Sequence, residues 1–327
     1  MAEPAKTKAE AKPEDKVYDC IIVGAGIAGL SAAIYTTRER LSTLVLEKLM
    51  PGGQILTTAR VENYPGFPEA IGGMELADRL SGQAKRFGAE IVNYAEVERM
   101  EPCTEAGCRY IDAHVGGKRY RSRSVILAVG SEYRKLNVPG EKELTGYGVS
   151  YCGTCDAPFY QGKHVVVVGG GNTALDEGLH LLKFVGHLTY VMDRKNFTGE
   201  QILIDELEKY GNRVTTSSES TITEILGDER VTGIRIKNLK TAEERTAECD
   251  GVFVFIGLKP LTGFLKGAVD LDEQGFIRTH ACTLETSVAG VWAAGDARVG
   301  AMKQAATAAG DGVVAALMAK EYLKAEH

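Results

Sequence analysis

Cys152 and Cys155 stand either side of Gly153-Thr154, and Asp156 follows directly. Two thiols at this spacing can cycle between a dithiol and a disulfide, or supply half of a zinc site. The redox reading needs a thiolate of lowered pKa and a neighbouring group to manage protons, and Asp156 is placed for that task. A turn or helix cap is a second role open to the same carboxylate. Cys103 and Cys108 would have to complete a four-cysteine zinc site. However, 43 residues separate the two pairs, and Cys103 falls in a stretch that reads as loop between strands. A buried, inert pair is the remaining alternative. The expectation taken forward is a redox disulfide and no metal.

Chemistry on sulfur needs a source of electrons, and two glycine-rich turns indicate its class. GAGIAG supplies Gly24, Gly26 and Gly29 between the apolar run Val17–Val23 and a helix-like stretch to about Arg38. The first glycine allows a tight turn, the second lets backbone approach a pyrophosphate, and the third lets helix pack on strand. The helix N-terminus then faces the phosphates. An acid at about 20 residues further on binds ribose hydroxyls, and Glu47 lies 18 residues after Gly29, at the end of the strand-like Thr43–Leu46. GGGNTA repeats the design with Gly169, Gly171, Asn172, Thr173 and Ala174, after HVVVV and before a helix to about Lys183. Asp193 lies 19 residues after Ala174, just past the strand-like Leu188–Met192, and Arg194 follows it. The alternative for each turn is a plain strand–helix connection. Two dinucleotide sites in one chain imply a flavin and a nicotinamide cofactor, which carry most of the chemistry between them.

The elements that must hold these groups alternate strand and helix, the signature of parallel sheets with helical crossovers. Met74–Phe87 reads as helix, Tyr110–Val115 and Arg119–Arg123 as strands, and Ser124–Val129 as a separate apolar strand closing on Gly130. Val231–Ile236 and Gly251–Ile256 read as strands, and VWAAGD at Val291–Asp296 precedes a small-residue helix from Lys303 to about Leu323. The fold expected is α/β, with two Rossmann-like dinucleotide-binding domains, the second inserted into the first. Residues 17–131 and 258–327 would form the flavin domain, and 132–257 the nicotinamide domain carrying the cysteines. Residues 1–16 read as a solvated, disordered arm. Ser131–Arg134 and Gly257–Pro260 are the expected hinges.

Composition narrows the class further. A length of 327 residues suggests about two domains. Hydrophobic content of 44% and charged content of 25% are ordinary for a soluble chain. A net charge of −6 with interspersed signs gives no reason to expect nucleic acid or an anionic membrane as partner. Seven cysteines, an odd number, fit a reducing compartment. Cys20–Tyr35, the most apolar stretch, is interrupted by glycine and too short to span a bilayer. The N-terminus lacks the apolar core of a secretory signal. A cytoplasmic protein is expected.

Taken in order, GAGIAGLSAA, GGQILTT with VENYPGF, CGTCD, GGGNTA and AAGDARVGAMKQA resemble the low-molecular-weight thioredoxin reductases, over Tyr18 to about Leu323. In glutathione-reductase-like relatives the cysteine pair follows the first glycine motif; here it precedes the second. The resemblance implies FAD held by Gly24, Gly26, Gly29 and Glu47, with Gly53, Gln54 and Asn63 as a flavin-contacting segment. It implies Asp296 on the ribityl chain, and Lys303, Gln304 and Ala305 as the counterpart of a flavin-contacting R-Q-A, with Lys replacing Arg. It further implies that Cys155 faces the flavin, Cys152 attacks the disulfide of thioredoxin, and Asp156 is the general acid. A homodimer is implied too, as is rotation of one domain against the other between two states.

The chain departs from the family pattern at the second cofactor. NADPH-using members carry H-R-R-x-x-x-R after the second strand of that domain, whereas here the chain reads Met192-Asp193-Arg194-Lys195-Asn196-Phe197-Thr198. Only Arg194 keeps its matched position. A charge-assisted hydrogen bond contributes about 1.5–3 kcal/mol. Two lost partners therefore weaken NADPH by roughly 3 kcal/mol, on the order of 100-fold. Asp193 repels a 2′-phosphate and can accept from a 2′-hydroxyl. NADH is expected to be preferred over NADPH. Three alternatives stand beside this reading: a ferredoxin or deazaflavin donor, another small disulfide protein as acceptor, and a flavin- or zinc-bound redox sensor.

Overall fold

The two apolar runs that end in glycine turns each become a central strand with parallel neighbours on both sides. The computed structural model describes residues 16–325 apart from 59 and 106. In chain order the first elements are β1 (Val17–Val23), α1 (Ile27–Arg38), β2 (Thr43–Leu46), a 3-10 turn (Gly53–Thr57), α2 (Gly73–Arg86), β3 (Glu90–Val92), β4 (Arg99–Glu105), β5 (Cys108–Val115), β6 (Lys118–Leu127) and β7 (Ser131–Tyr133). Then come β8 (Val149–Ser150), a short α3 (Gly153–Asp156), β9 (His164–Val168), α4 (Asn172–Leu181), β10 (His187–Val191), α5 (Gln201–Glu208) and β11 (Val214–Ser217). They are followed by β12 (Ser220–Leu226), β13 (Gly233–Asn238), β14 (Glu244–Glu248), β15 (Gly251–Val254), β16 (Leu258–Pro260), β17 (Val291–Ala293) and α6 (Ala305–Ala325).

The chain divides into two compact units. The first comprises the described residues up to Arg60, Tyr64–Ser131 and Pro260 onward; the second comprises Val61–Asn63 and Glu132–Lys259. The connecting strands β7 and β16 pair with each other.

In the first unit a seven-stranded sheet runs β3-β2-β1-β6-β5-β4, and β17 also pairs with β6. Side chains alternate across a strand, so Ile21 and Val23 enter one core while Cys20 and Ile22 enter the other. Burial on both faces is why β1 reads as a nearly unbroken apolar run. Helix α6 can lie close against α1 because its contact residues are small: a Cβ on Gly312 would fall 2.1 Å from the carbonyl oxygen of Ala28.

In the second unit a five-stranded sheet runs β11-β10-β9-β15-β8, and β12, β13 and β14 form an antiparallel sheet of their own. Val165 and Val167 pack into one core, Val166 and Val168 into the other. Each fully buried valine contributes about 1.5–3 kcal/mol.

Four elements differ from the sequence reading, the first being the stretch around Cys103, which is not loop but strand β4, paired antiparallel with β5. Arg119–Arg123 and Ser124–Val129 are not two strands; one strand, β6, covers them, antiparallel to β5 in its first half and parallel to β17 in its second. Its polar first half and apolar second half suggested a break, but the change is one of neighbours, not of backbone. The strand expected at Val231–Ile236 runs over Gly233–Asn238 instead. The last helix begins at Ala305, because Lys303 adopts a left-handed backbone with φ 57°. Residues 1–15 of the expected arm lie outside the described residues. Lys16 is described: its ammonium pairs with Glu90 and lies 4.4 Å from the ring centroid of Tyr18. Among the described residues no helix is long and apolar enough to cross a membrane.

Candidate functional site

In the first unit, Gly24 turns the chain out of β1 with φ 98°, and a Cβ there would lie 2.4 Å from the carbonyl oxygen of Ala128. At Gly26 the constraint is of another kind: an added Cβ would meet only the Gly52 carbonyl oxygen, at 3.9 Å. That leaves an open cradle at the start of α1, whose N-terminus carries no side-chain cap. Uncapped N–H groups facing open space suit a phosphate. Glu47 closes the turn from the end of β2. Its carboxylate accepts from the Ala25 N–H at 2.6 Å and the Leu49 N–H at 2.9 Å. Gly53 packs onto the same turn, with a Cβ position 3.3 Å from Gly26 Cα. Gln54 donates to the carbonyl of Ser131.

Gly295 abuts Ala28 at the start of α1 and so brings Asp296 to this turn. Burial pushes the Asp296 carboxyl up, and that carboxyl receives no hydrogen bond from a described residue. Lys303 Nζ donates to the Asp296 carbonyl at 2.5 Å and stands 4.4 Å from the Phe276 ring centroid, and its ammonium is lowered by burial. Gln304 follows, and Ala305 opens α6. The turn is locked by Arg298, whose guanidinium grips Asp311 of α6 with two bonds of 2.6 and 2.8 Å; Asp311 also accepts from the Gly295 N–H at 3.0 Å. Val61–Asn63 group with the second unit.

The second glycine turn repeats the geometry. Gly169, φ 128°, would place a Cβ 2.4 Å from the Phe255 carbonyl oxygen, while Gly171 would meet only the Thr198 hydroxyl, at 3.9 Å. Ala174 is fully buried beneath the turn. Asn172 accepts from the Glu200 N–H at 2.7 Å. Thr173 lies in the first turn of α4. The Thr198 N–H donates to the Gly170 carbonyl at 2.8 Å, so residues 198–200 close over the turn. Asp193 and Arg194 are exposed just beyond β10. A cation not singled out in the sequence stands nearby: Arg245 of β14 donates to the Ser217 hydroxyl at 2.6 Å, and Ser217 accepts from the Met192 N–H at 3.1 Å.

The same unit carries the cysteines. Strand β8 delivers the chain to α3, where Cys152 and Cys155 are joined in a disulfide. The Cys155 N–H points at Cys152 Sγ, 3.2 Å away. The Ser150 hydroxyl accepts from the Cys152 N–H at 3.1 Å and lies 2.5 Å from the Asp156 carboxylate, to which it donates. Burial raises the Asp156 carboxyl above the ordinary carboxylate range, and the Ser150 bond opposes the rise. Thr154 N–H donates to Glu177 of α4 at 3.0 Å. The redox turn therefore sits on the helix that begins at the second glycine turn. Cys103 and Cys108 lie instead on the hairpin of β4 and β5 in the first unit, where Cys103 Sγ is 3.5 Å from an Arg121 nitrogen. Among the described residues no group of three or more His, Cys, Asp or Glu side chains could hold a metal ion.

The model of the pyridine nucleotide-disulphide oxidoreductases matches residues 18–312. A thioredoxin reductase of Bacillus subtilis is 42% identical over 313 residues, covering 95% of this chain and 96% of that protein. The chain belongs to the thioredoxin reductases of the pyridine nucleotide-disulphide oxidoreductase family. A thioredoxin reductase of Treponema pallidum is likewise 42% identical, with 94% and 97% of the two chains covered. The crystal structure of the Streptococcus pyogenes thioredoxin reductase superposes with a TM-score of 0.89 at 35% identity, over 94% of this chain and 99% of that one.

Within this chain the glycine motifs, Glu47 and the cysteine pair had a sequence signal in their spacing. Ser150, Glu177, Arg245 and the Arg298–Asp311 pair had none. Each acts on a residue that chain order does not place beside it, or, for Ser150, through a hydroxyl that looks like any other strand residue.

Proposed function

We propose that this chain passes electrons from NADH, in preference to NADPH, to the disulfide of thioredoxin through FAD and the Cys152–Cys155 pair. The observation that carries the reading is the closed redox turn, with a disulfide, a buried carboxyl and a hydroxyl relay packed on the helix of a nucleotide-type turn. FAD, when bound, supplies the two-electron chemistry between nicotinamide and sulfur. Gly24, Gly26, Gly29, Glu47, Gly53 and Gln54 would hold it, with Asp296, Lys303, Gln304 and Ala305 completing the site. The open cradle at Gly26 and the unpartnered Asp296 carboxyl fit such a group. By the family resemblance Asn63 would contact it as well. Gly169, Gly171, Asn172, Thr173, Ala174, Asp193 and Arg194 would hold the nicotinamide cofactor.

The residues divide the sulfur chemistry between them. Cys152 is the attacking thiolate, since the Cys155 N–H that points at its sulfur favours negative charge there. Cys155 is the resolving thiol and the one that faces the flavin. Asp156 returns a proton to the departing thiolate, and its raised carboxyl suits a donor. Asp156→Asn is expected to lower kcat for thioredoxin reduction by about 10²–10⁴-fold. Protonated carboxyl is lost as pH rises through a raised pKa, so the wild-type rate should fall on that limb and the variant's should not. A pH–rate profile of both proteins checks this.

Asp193 carries the preference for NADH. Anaerobic titration followed by flavin absorbance should show bleaching at low NADH, with on the order of 100-fold more NADPH required. Equal bleaching by NADPH would assign the 2′-phosphate to Arg194, Lys195 and Arg245 and overturn the preference. Bleaching by dithionite alone would leave the second turn without its cofactor and point to ferredoxin or a deazaflavin. The odd number of cysteines supports a cytoplasmic setting. The family resemblance supports a homodimer.

A further inference from the structure

The geometry points to Glu177 as a positioning residue of the redox centre, one that holds the Gly153–Thr154 turn and lowers the reduction potential of the Cys152–Cys155 pair. This inference rests on the redox reading of that pair. Glu177 lies on α4, one turn into the helix that begins at the second glycine motif. Its Oε2 accepts from the Thr154 N–H at 3.0 Å. Burial raises the Glu177 carboxyl and the Gly153–Thr154 turn opposes that rise, so the carboxyl faces the middle of the C-x-x-C.

The fit depends on residue 153 being glycine. A Cβ there would lie 2.3 Å from Glu177 Oε2 and 3.4 Å from Glu177 Cβ and Cδ. The carboxylate thus occupies the space that a side chain at 153 would fill. Gly153 is buried and its φ is not in the left-handed region, so its backbone does not ask for glycine; the carboxylate does. A carboxylate held against backbone donors between two cysteines acts in two ways. It fixes the turn that keeps the sulfurs at bonding distance. It also places a negative charge beside the thiolates formed on reduction, which disfavours the dithiol state. A pair whose reduced form is disfavoured is a stronger reductant toward an outside disulfide. Asp156 accepts instead from the Ser150 hydroxyl.

The test is the equilibrium of the flavin-loaded protein with dithiothreitol. Two electrons pass as the dithiothreitol dithiol closes to its cyclic disulfide and the Cys152–Cys155 bond opens to two thiols. Acid quench, alkylation and mass spectrometry count those thiols, and no thioredoxin is needed. Glu177→Gln keeps an oxygen for Thr154 and removes the charge. It should shift the equilibrium toward the dithiol by up to about tenfold, or about 30 mV for this couple, with an unchanged melting temperature. Gly153→Ala should shift it the same way by expelling the carboxylate. The double variant should add little to either single one, because both remove the same interaction. An equilibrium constant for Glu177→Gln equal to wild type overturns the inference while leaving the redox pair intact, as does full additivity. A wild-type pair that does not exchange with dithiothreitol overturns both readings.

Discussion

Serine at position 152 should abolish thioredoxin reduction, by about a thousandfold or more as expected when a nucleophile is removed, while the flavin still accepts electrons from the nicotinamide cofactor. Serine at 155 should be as inactive in turnover, but by a different route. Cys152 remains able to attack, the mixed disulfide with thioredoxin forms, and no second thiol is present to release it. A covalent complex should therefore accumulate with Cys155→Ser and not with Cys152→Ser. The asymmetry rests on the Cys155 N–H pointing at Cys152 Sγ, which marks Cys152 as the stabilised thiolate. A complex trapped by Cys152→Ser instead would reverse the two roles. Turnover by either variant at the wild-type rate would remove the pair from the reaction.

Asp311→Ala should cost about 1.5–3 kcal/mol of stability, the range for a hydrogen bond to a charged group. Arg298 and Asp311 are 16% and 13% exposed, so solvent cannot compensate either charge well. The loss should be seen in urea as a lowered midpoint, and it should be accompanied by weaker flavin retention. Asp311 also accepts from the Gly295 N–H and so anchors the turn that carries Asp296. Replacing both members, as Arg298→Met with Asp311→Leu, should recover part of the stability but not the retention. That separation tests whether the pair positions the turn or only stabilises the unit. An Asp311→Ala protein as stable as wild type would show the pair to be solvated.

These two expectations draw on information of different origin. The cysteine pair, the two glycine turns and Glu47 at the close of a strand were legible because each is local: their residues lie in one turn or in one strand–helix–strand unit. Steric demands of that kind leave a spacing in the chain. Glu47 reaches back to Ala25 across one such unit, and the acid at that spacing marked it.

The rest depended on which strands become neighbours. Strand β6 was misread as two because its polar half borders β5 and its apolar half borders β17, a residue run some 160 positions away. Lys303 reads as the first residue of a helix, yet its backbone is left-handed and its ammonium turns back to the Asp296 carbonyl. Asn63 reads with Gly53 and Gln54, yet it groups with the other unit.

By itself, then, the sequence determined the chemistry this protein can carry: a dithiol, two nucleotide-type turns and the acids at their strand ends, because those rest on local sterics and spacing. Only the tertiary structure decided what tunes and holds that chemistry. Ser150 relays to Asp156, Glu177 fills the space above Gly153, and Arg298 clamps Asp311, because side chains meet according to sheet order and helix packing. Such contacts join residues with no fixed separation along the chain, and so leave no period or spacing to read.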